Sequence, residues 1–120
     1  MQNAKLDLPD RTKRFALRIV RVYVALPKNA VGQTLGKQLL RSGTSVGANY
    51  REAMRARSRP EFSSKMGIAL QELEESRYWM ELLIEAEVIN SRRLDLLLKE
   101  AAELIAIFTA SINTTRQNFP

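Results

Sequence analysis

Six polar residues in the middle of the chain have the types and the spacing that chemistry or specific packing would need. They recur at three- and four-residue intervals, which places them on one face of a helix: Gln38, Arg41, Ser42, Ser45, Asn49 and Glu52. Because Arg41 and Glu52 carry opposite charges, this polar stripe favours a partly buried hydrogen-bonded network that fixes helix register or subunit packing. A ligand or substrate cleft is the alternative. We prefer the structural role because no group in the stripe titrates near neutral pH.

Arginines supply the candidate binding residues. Arginine outnumbers lysine, and its planar guanidinium suits phosphate because it donates two parallel hydrogen bonds. Three arginines share a face of the first predicted helix, and four more lie at the end of the second helix and in the loop after it. The predicted nucleic-acid-binding residues are Arg14, Arg18, Arg21, Arg51, Arg55, Arg57 and Arg59. They predict salt-dependent binding to RNA or DNA, driven by charge and shape rather than by base identity.

Charge is divided unevenly along the 120 residues. Residues 1–65 hold 14 Lys/Arg and 4 Asp/Glu, a net charge of +10, whereas residues 66–120 hold 5 and 9, a net charge of −4. A basic half and an acidic half indicate either a polyanionic partner or pairing of opposite charges within or between subunits. The alternative to nucleic-acid binding is therefore a structural or assembly module whose basic and acidic faces pair between subunits.

The residue types that are missing exclude most catalytic chemistry. The chain has no cysteine and no histidine, which removes disulfides, thiolate metal sites and any Ser-His-Asp relay. Glu72 and Glu75 could hold magnesium through their carboxylates, but we prefer a solvated or salt-bridged helix face for them. We expect a protein that is not an enzyme, with no metal and no cofactor.

Hydropathy places the chain away from membranes. The first ten residues lack the apolar segment of a secretory signal, and the longest apolar runs are too short to cross a bilayer. We therefore expect a cytoplasmic protein without a membrane partner.

Apolar periodicity predicts an all-α protein, an antiparallel up-down four-helix bundle that occupies residues 1–120 as a single domain, with flexible ends at 1–9 and 115–120. The first helix is predicted from an Asp10 N-cap to about Leu26, and the second from about Gln33 to Arg57. Ser58 and Glu61 form a capping box for the third. Its heptad-like core seam is Phe62, Met66, Ala69, Leu73, Ser76, Met80 and Leu83. The fourth helix follows a cap at Asn90 or Ser91, with the inner stripe Leu94, Leu98, Ala101, Ile105, Phe108 and Ile112.

A pattern within this helical region is similar to a known family. The residues that carry it are Arg41-Ser42, Ser45-Val46, Ala48-Asn49, Glu52-Ala53, Arg57-Ser58, Glu61-Phe62, Ile68-Ala69 and Glu72. They resemble the four-helix bundle proteins encoded within intervening sequences of bacterial large-subunit ribosomal RNA genes, over about residues 12–112. Tyr50 departs from the isoleucine that often follows the asparagine in that family.

The resemblance carries expectations of its own. It implies a four-helix bundle assembled as a homopentamer, with no established catalytic activity. The chain is more distantly similar to the accessory variability proteins of diversity-generating retroelements. That similarity implies a basic surface that binds nucleic acid and a reverse transcriptase.

Overall fold

The computed structural model describes residues 7–118, which form four α-helices and a short 3₁₀ turn at Ser91–Arg93, with no strand in that range. The helices are α1 (Leu8–Ala25), α2 (Ala30–Met54), α3 (Arg59–Glu85) and α4 (Asp95–Asn118). Each packs on the next in sequence, and α1 also contacts α4. Because short connections force each helix to run back along its neighbour, the predicted antiparallel up-down four-helix bundle is confirmed.

The helix boundaries differ from the predicted ones at several places. Asp10 is not the N-cap of α1: the N-cap is Asp7, and Pro9 lies within the first turn. Proline is tolerated there because its missing N–H would have had no partner in the helix. Helix α2 begins near Asn29, whose side-chain oxygen accepts a hydrogen bond from the Gly32 N–H at 2.8 Å. It ends at Met54, three residues before the predicted boundary.

The predicted flexible ends overlap these helices. Residues 8 and 9 begin α1, and Leu8 is buried. Residues 115–118 belong to α4. The rest of the predicted ends, residues 1–6 and 119–120, lies outside the described residues.

The start of α3 follows the predicted cap with one change of partner. The Ser58 side chain accepts a hydrogen bond from the Glu61 N–H at 3.2 Å, as a capping box requires. The Glu61 carboxylate accepts from the Arg57 N–H at 3.2 Å rather than from the Ser58 N–H. The reciprocal bond therefore reaches one residue further back into the loop and orders its last turn.

The core contains the predicted seam of α3. Six of its seven residues are buried, and Phe62 is half-buried against them. In α4, however, Leu97 and Leu104 are buried in the core, whereas Leu98 and Ile105 are only partly buried. The buried pair and the partly buried pair lie side by side on the helix surface. The inner face of α4 is therefore rotated slightly from the predicted one.

Small residues allow α1 and α2 to pack closely. A Cβ atom added at Gly43 would lie 2.7 Å from Cγ1 of Ile19, and one added at Gly47 would lie 3.1 Å from Oγ1 of Thr12. The two glycines therefore let the backbone of α2 come close to α1. This packing places the first half of α1 beside the last half of α2.

The end of α3 is a Schellman motif without glycine. The Val88 N–H donates to the Leu83 carbonyl and the Glu87 N–H to the Ile84 carbonyl, both at 2.9 Å. Glu87 adopts a φ of 59°, the left-handed conformation that glycine usually supplies at this position. The turn directs the chain toward Asn90, whose side chain caps the 3₁₀ turn before α4.

Candidate nucleic-acid interface

The first arginine of α1, which is not among the predicted binding residues, is buried. Arg11 is 7% exposed and donates from Nε and Nη2 to the carboxylate of Glu100 at 3.0 and 2.7 Å. Nη2 also donates to Glu103 at 3.1 Å. The hydrogen bond that Arg11 donates to Glu100 is the main reason that the pKa of Arg11 is raised. Arg11 therefore holds α1 against α4 and is not a surface group.

The other three arginines of α1 flank the Arg11 contact. They follow it at intervals of three, seven and ten residues, so they lie on the side of α1 that turns toward α4. Arg14 and Arg21 are exposed, and Arg18 is half-buried. Nε of Arg14 lies 2.9 Å from the Asp10 carboxylate, an exposed ion pair that leaves the guanidinium open to water.

The second set of predicted binding residues forms the arginine corner, which we define as Arg51, Arg55, Arg57 and Arg59. All four are exposed, where α2 ends and α3 begins. Arg57 lies 4.0 Å from Glu61, and neither Arg51 nor Arg55 forms a side-chain ion pair with any residue in 7–118. Because α2 stops at Met54, Arg55 and Arg57 project from the connecting turn rather than from a helix.

The two sets occupy neighbouring regions of one end of the bundle but do not merge. Thr12 packs against Gly47, which brings the start of α1 beside the arginine corner. Arg14 is therefore the α1 arginine at that end. Arg21 lies about 10 Å further along the helix, at about 1.5 Å per residue. We call the two separate sets together the basic band, and the arginine corner holds four of its seven arginines.

A groove between α1 and α2 adds a cation that sequence reasoning did not include among the binding residues. Its volume is about 270 Å³, and its walls carry Lys13 from α1 and Arg51 from α2. The remaining lining residues are small or hydroxylated: Thr12, Ala16, Thr44, Gly47 and Ala48. The small residues at four-residue intervals in α1 and α2 are the sequence signal for such a groove, but the signal has meaning only once the two helices are known to pack together.

The predicted polar stripe contributes three contacts between α2 and α3, and the first of them is made by Arg41. Arg41 donates from Nη1 to Glu72 at 3.2 Å and from Nη2 to Glu75 at 2.5 Å, and its Nε donates to Gln38 at 3.4 Å. The hydrogen bond that Arg41 donates to Glu75 is the main reason that the pKa of Arg41 is raised. This ion-pair group lies at the surface, since Arg41 and Glu75 are both about half exposed.

The second contact between α2 and α3 is buried. The hydroxyl oxygens of Ser42 and Ser76 lie 3.0 Å apart, and both residues are fully buried. Ser76 also donates to the Glu72 carbonyl at 2.8 Å. The serine pair joins α2 to α3 within an otherwise apolar seam.

Of the remaining members of the stripe, Glu52 alone reaches a residue of α3. Ser45 donates to the Arg41 carbonyl and Asn49 to the Ser45 carbonyl, both within α2. Glu52 pairs with Lys65 at 2.8 Å, and that hydrogen bond lowers the pKa of Glu52. The structure therefore separates the six residues into the Arg41 group, the serine pair and the Glu52 ion pair.

Metal-binding clusters and membrane-spanning helices are both absent from residues 7–118. No group of three or more acidic side chains in this range is arranged to hold a metal ion. No helix in the same range is long and apolar enough to cross a membrane.

Comparisons with known proteins agree with the fold. A model of the 23S rRNA-intervening sequence protein family matches residues 4–110. A solved structure, that of a protein of unknown function from the S23 ribosomal protein family of Bacteroides thetaiotaomicron, has a TM-score of 0.82 and 40% sequence identity. The match covers 88% of this chain and 97% of that protein. No curated protein matches the chain. The chain belongs to the 23S rRNA-intervening sequence protein family.

Proposed function

We propose that the protein binds the phosphate backbone of nucleic acid through its arginine corner and the α1 arginines, without catalysing a reaction. The proposal rests on a difference in ion pairing among the arginines. Arg11 and Arg41 pair with acidic residues of α4 and α3, whereas Arg51 and Arg55 form no side-chain ion pair with a described residue. Exposed cations without such pairs are the groups that can exchange water and counterions for phosphate.

The arrangement favours backbone contacts over base recognition. The side chains of the arginine corner are exposed around the turn between α2 and α3, where they can contact successive phosphates. The family to which the chain belongs is named for intervening sequences of 23S rRNA, which supports RNA as the first partner to test. DNA presents the same phosphodiester chemistry and is the second.

The resemblance to homopentameric proteins extends the proposal to assembly. Leu17, Val20 and Val24 form an exposed apolar stripe along α1, of which Val24 is 65% exposed. Such a stripe suits contact with another copy of the chain. In a pentamer five arginine corners would act together, and avidity would raise the affinity without any new contact. Assistance to a reverse transcriptase rests on the resemblance to the retroelement proteins alone.

Fluorescence anisotropy with labelled oligonucleotides tests the proposal. The full chain is titrated into single-stranded RNA, single-stranded DNA and duplexes of each, between about 50 and 200 mM salt. We expect binding that weakens steeply as salt rises, with little dependence on sequence. The absence of binding to all four probes at 50 mM salt contradicts the proposal.

A pure assembly module is the second candidate. Glu74, Glu81 and Glu85 are exposed on α3 and form no ion pair among residues 7–118, so they are available to basic residues of another subunit. Light scattering over a salt series separates the candidates. A mass that falls as salt rises supports assembly by charge, and a constant mass contradicts it.

A further inference from the structure

We propose that the groove between α1 and α2 is the seat of one phosphodiester group of the bound strand, held between Lys13 and Arg51. The inference rests on the proposed function and deepens it. It assigns a binding position to Lys13 and separates a specific site from the general attraction of the basic band.

The shape of the groove results from close helix packing. Gly47 has no side chain, and a Cβ atom there would lie 3.1 Å from Oγ1 of Thr12. Ala16 and Ala48 contribute only methyl groups to the lining. The two cations therefore line a groove whose other walls carry only small or hydroxylated side chains.

The size of the groove selects the part of a nucleic acid that fits. Its volume of about 270 Å³ lies just below the range of about 300 to 1,000 Å³ that is typical of pockets for whole small molecules. A phosphate with part of its sugar can enter such a space, and no aromatic side chain lines it for a base to stack on. The geometry thus favours contact with the backbone over capture of a base.

The charges and hydroxyls of the groove point to the same ligand. No acidic residue lines it, and neither Lys13 nor Arg51 forms an ion pair with a residue in the described part of the chain. Oγ1 of Thr12 donates to the Leu8 carbonyl at 2.8 Å, and Oγ1 of Thr44 donates to the Leu40 carbonyl at 2.7 Å. Because both hydroxyl protons are already used, the two cations must supply the donors to an anion. Such a pair recognises phosphate by charge and by the fork of the arginine.

A substitution that fills the groove without changing its charge tests the inference. Ala48→Leu places a larger apolar side chain in the lining, and leucine is a good helix former, so α2 is retained. Ala102→Leu, at an exposed position of α4, is the matched control. Binding to a single-stranded RNA of about 20 nucleotides is measured by anisotropy, and circular dichroism verifies the fold of each variant.

We expect Ala48→Leu to weaken RNA binding by about fivefold or more and Ala102→Leu to leave it unchanged. Lys13→Gln removes one cation and should weaken binding to a similar degree, with a smaller salt slope. It keeps the inference testable if Ala48→Leu does not fold. Unchanged RNA affinity in both Ala48→Leu and Lys13→Gln overturns the groove site.

Two further outcomes separate this inference from the proposed function. If the unmodified chain binds RNA and Arg55→Gln weakens it while Ala48→Leu and Lys13→Gln do not, the groove is wrong and nucleic-acid binding stands. If the unmodified chain binds no nucleic acid, both fail. Inorganic phosphate is the third probe. Stabilisation of the unmodified chain by phosphate, lost in Ala48→Leu while RNA affinity is unchanged, would show that the groove takes a free anion and would overturn the assignment to a strand.

Discussion

Arg11 and Glu100 join the first and last helices through two parallel hydrogen bonds, of 3.0 and 2.7 Å, between a guanidinium and a carboxylate. The pair sits where α1 meets α4, and Arg11 is almost completely buried there. This geometry removes one arginine from the basic band and closes the bundle. It also shows that part of the charge separation along the sequence is resolved within one subunit.

Loss of this pair should destabilise the fold and spare nucleic-acid binding. Arg11→Met keeps the volume of the aliphatic stem but leaves the Glu100 carboxylate half-desolvated beside an apolar group. We expect a loss of about 2 kcal/mol in the free energy of unfolding, below the 3 to 5 typical of a fully buried pair because Glu100 reaches solvent. Urea denaturation measures it.

Arg14→Met is the control, since its ion pair with Asp10 is exposed and should be worth less than about 1 kcal/mol. Equal losses from the two substitutions would show that the Arg11 contact has no special role. A tenfold fall in RNA affinity for Arg11→Met at full stability would place Arg11 on the binding surface after all.

Gly43→Ala should destabilise the protein although alanine is the better helix former. The new Cβ would meet Cγ1 of Ile19 at 2.7 Å and Cγ2 at 2.9 Å, and Ile19 is fully buried and stiff at its branched Cβ. We expect the free energy of unfolding to fall by about 1 to 3 kcal/mol because α1 and α2 are pushed apart. Gly67→Ala is the matched control, because no atom lies within 4 Å of the added Cβ. Thermal unfolding should show that Gly67→Ala raises the free energy of unfolding by up to about 1 kcal/mol. A rise for Gly43→Ala would contradict the close packing of α1 and α2.

Glu87→Gly should stabilise the end of α3. Glu87 holds a φ of 59° in the Schellman motif, and an L-residue other than glycine pays a conformational cost of about 1 to 2 kcal/mol there. Its side chain is exposed, so little is lost with it. We expect the free energy of unfolding to rise by about 0.5 to 1 kcal/mol in chemical denaturation. The gain is smaller than the conformational cost because glycine has greater freedom in the unfolded chain. A loss of stability would mean that the Glu87 side chain contributes more than its exposure indicates.

The helices and most of the core follow from the sequence because their signals are local. The seam of α3 repeats without ambiguity, since polar residues flank it. In α4, leucine or isoleucine occupies neighbouring positions such as 97, 98, 104 and 105, so periodicity alone cannot choose the inner face. The start of α1 was misplaced because Pro9 is compatible both with a leader and with a first turn.

The candidate site is less predictable because it depends on which helices touch. Arg11 looks the same in sequence as Arg14, and only the position of Glu100 on α4 separates a buried pair from a surface cation. Lys13 and Arg51 are 38 positions apart and meet at one groove only because α1 packs on α2. The residue types were therefore visible in advance, and their division into structural and binding roles was not.

Binding of a single-stranded RNA to matched charge variants over a salt series tests nucleic-acid recognition most directly. Arg51→Gln combined with Arg55→Gln removes two charges at the arginine corner, and Lys28→Gln combined with Lys37→Gln removes two exposed charges near the other end of α2. We predict at least a tenfold loss of affinity for the arginine pair, with a slope of log K against log salt smaller by about 1.4, and a change within about twofold for the lysine pair. Equal losses from both pairs, or no binding by the unmodified chain, would contradict recognition at the arginine corner.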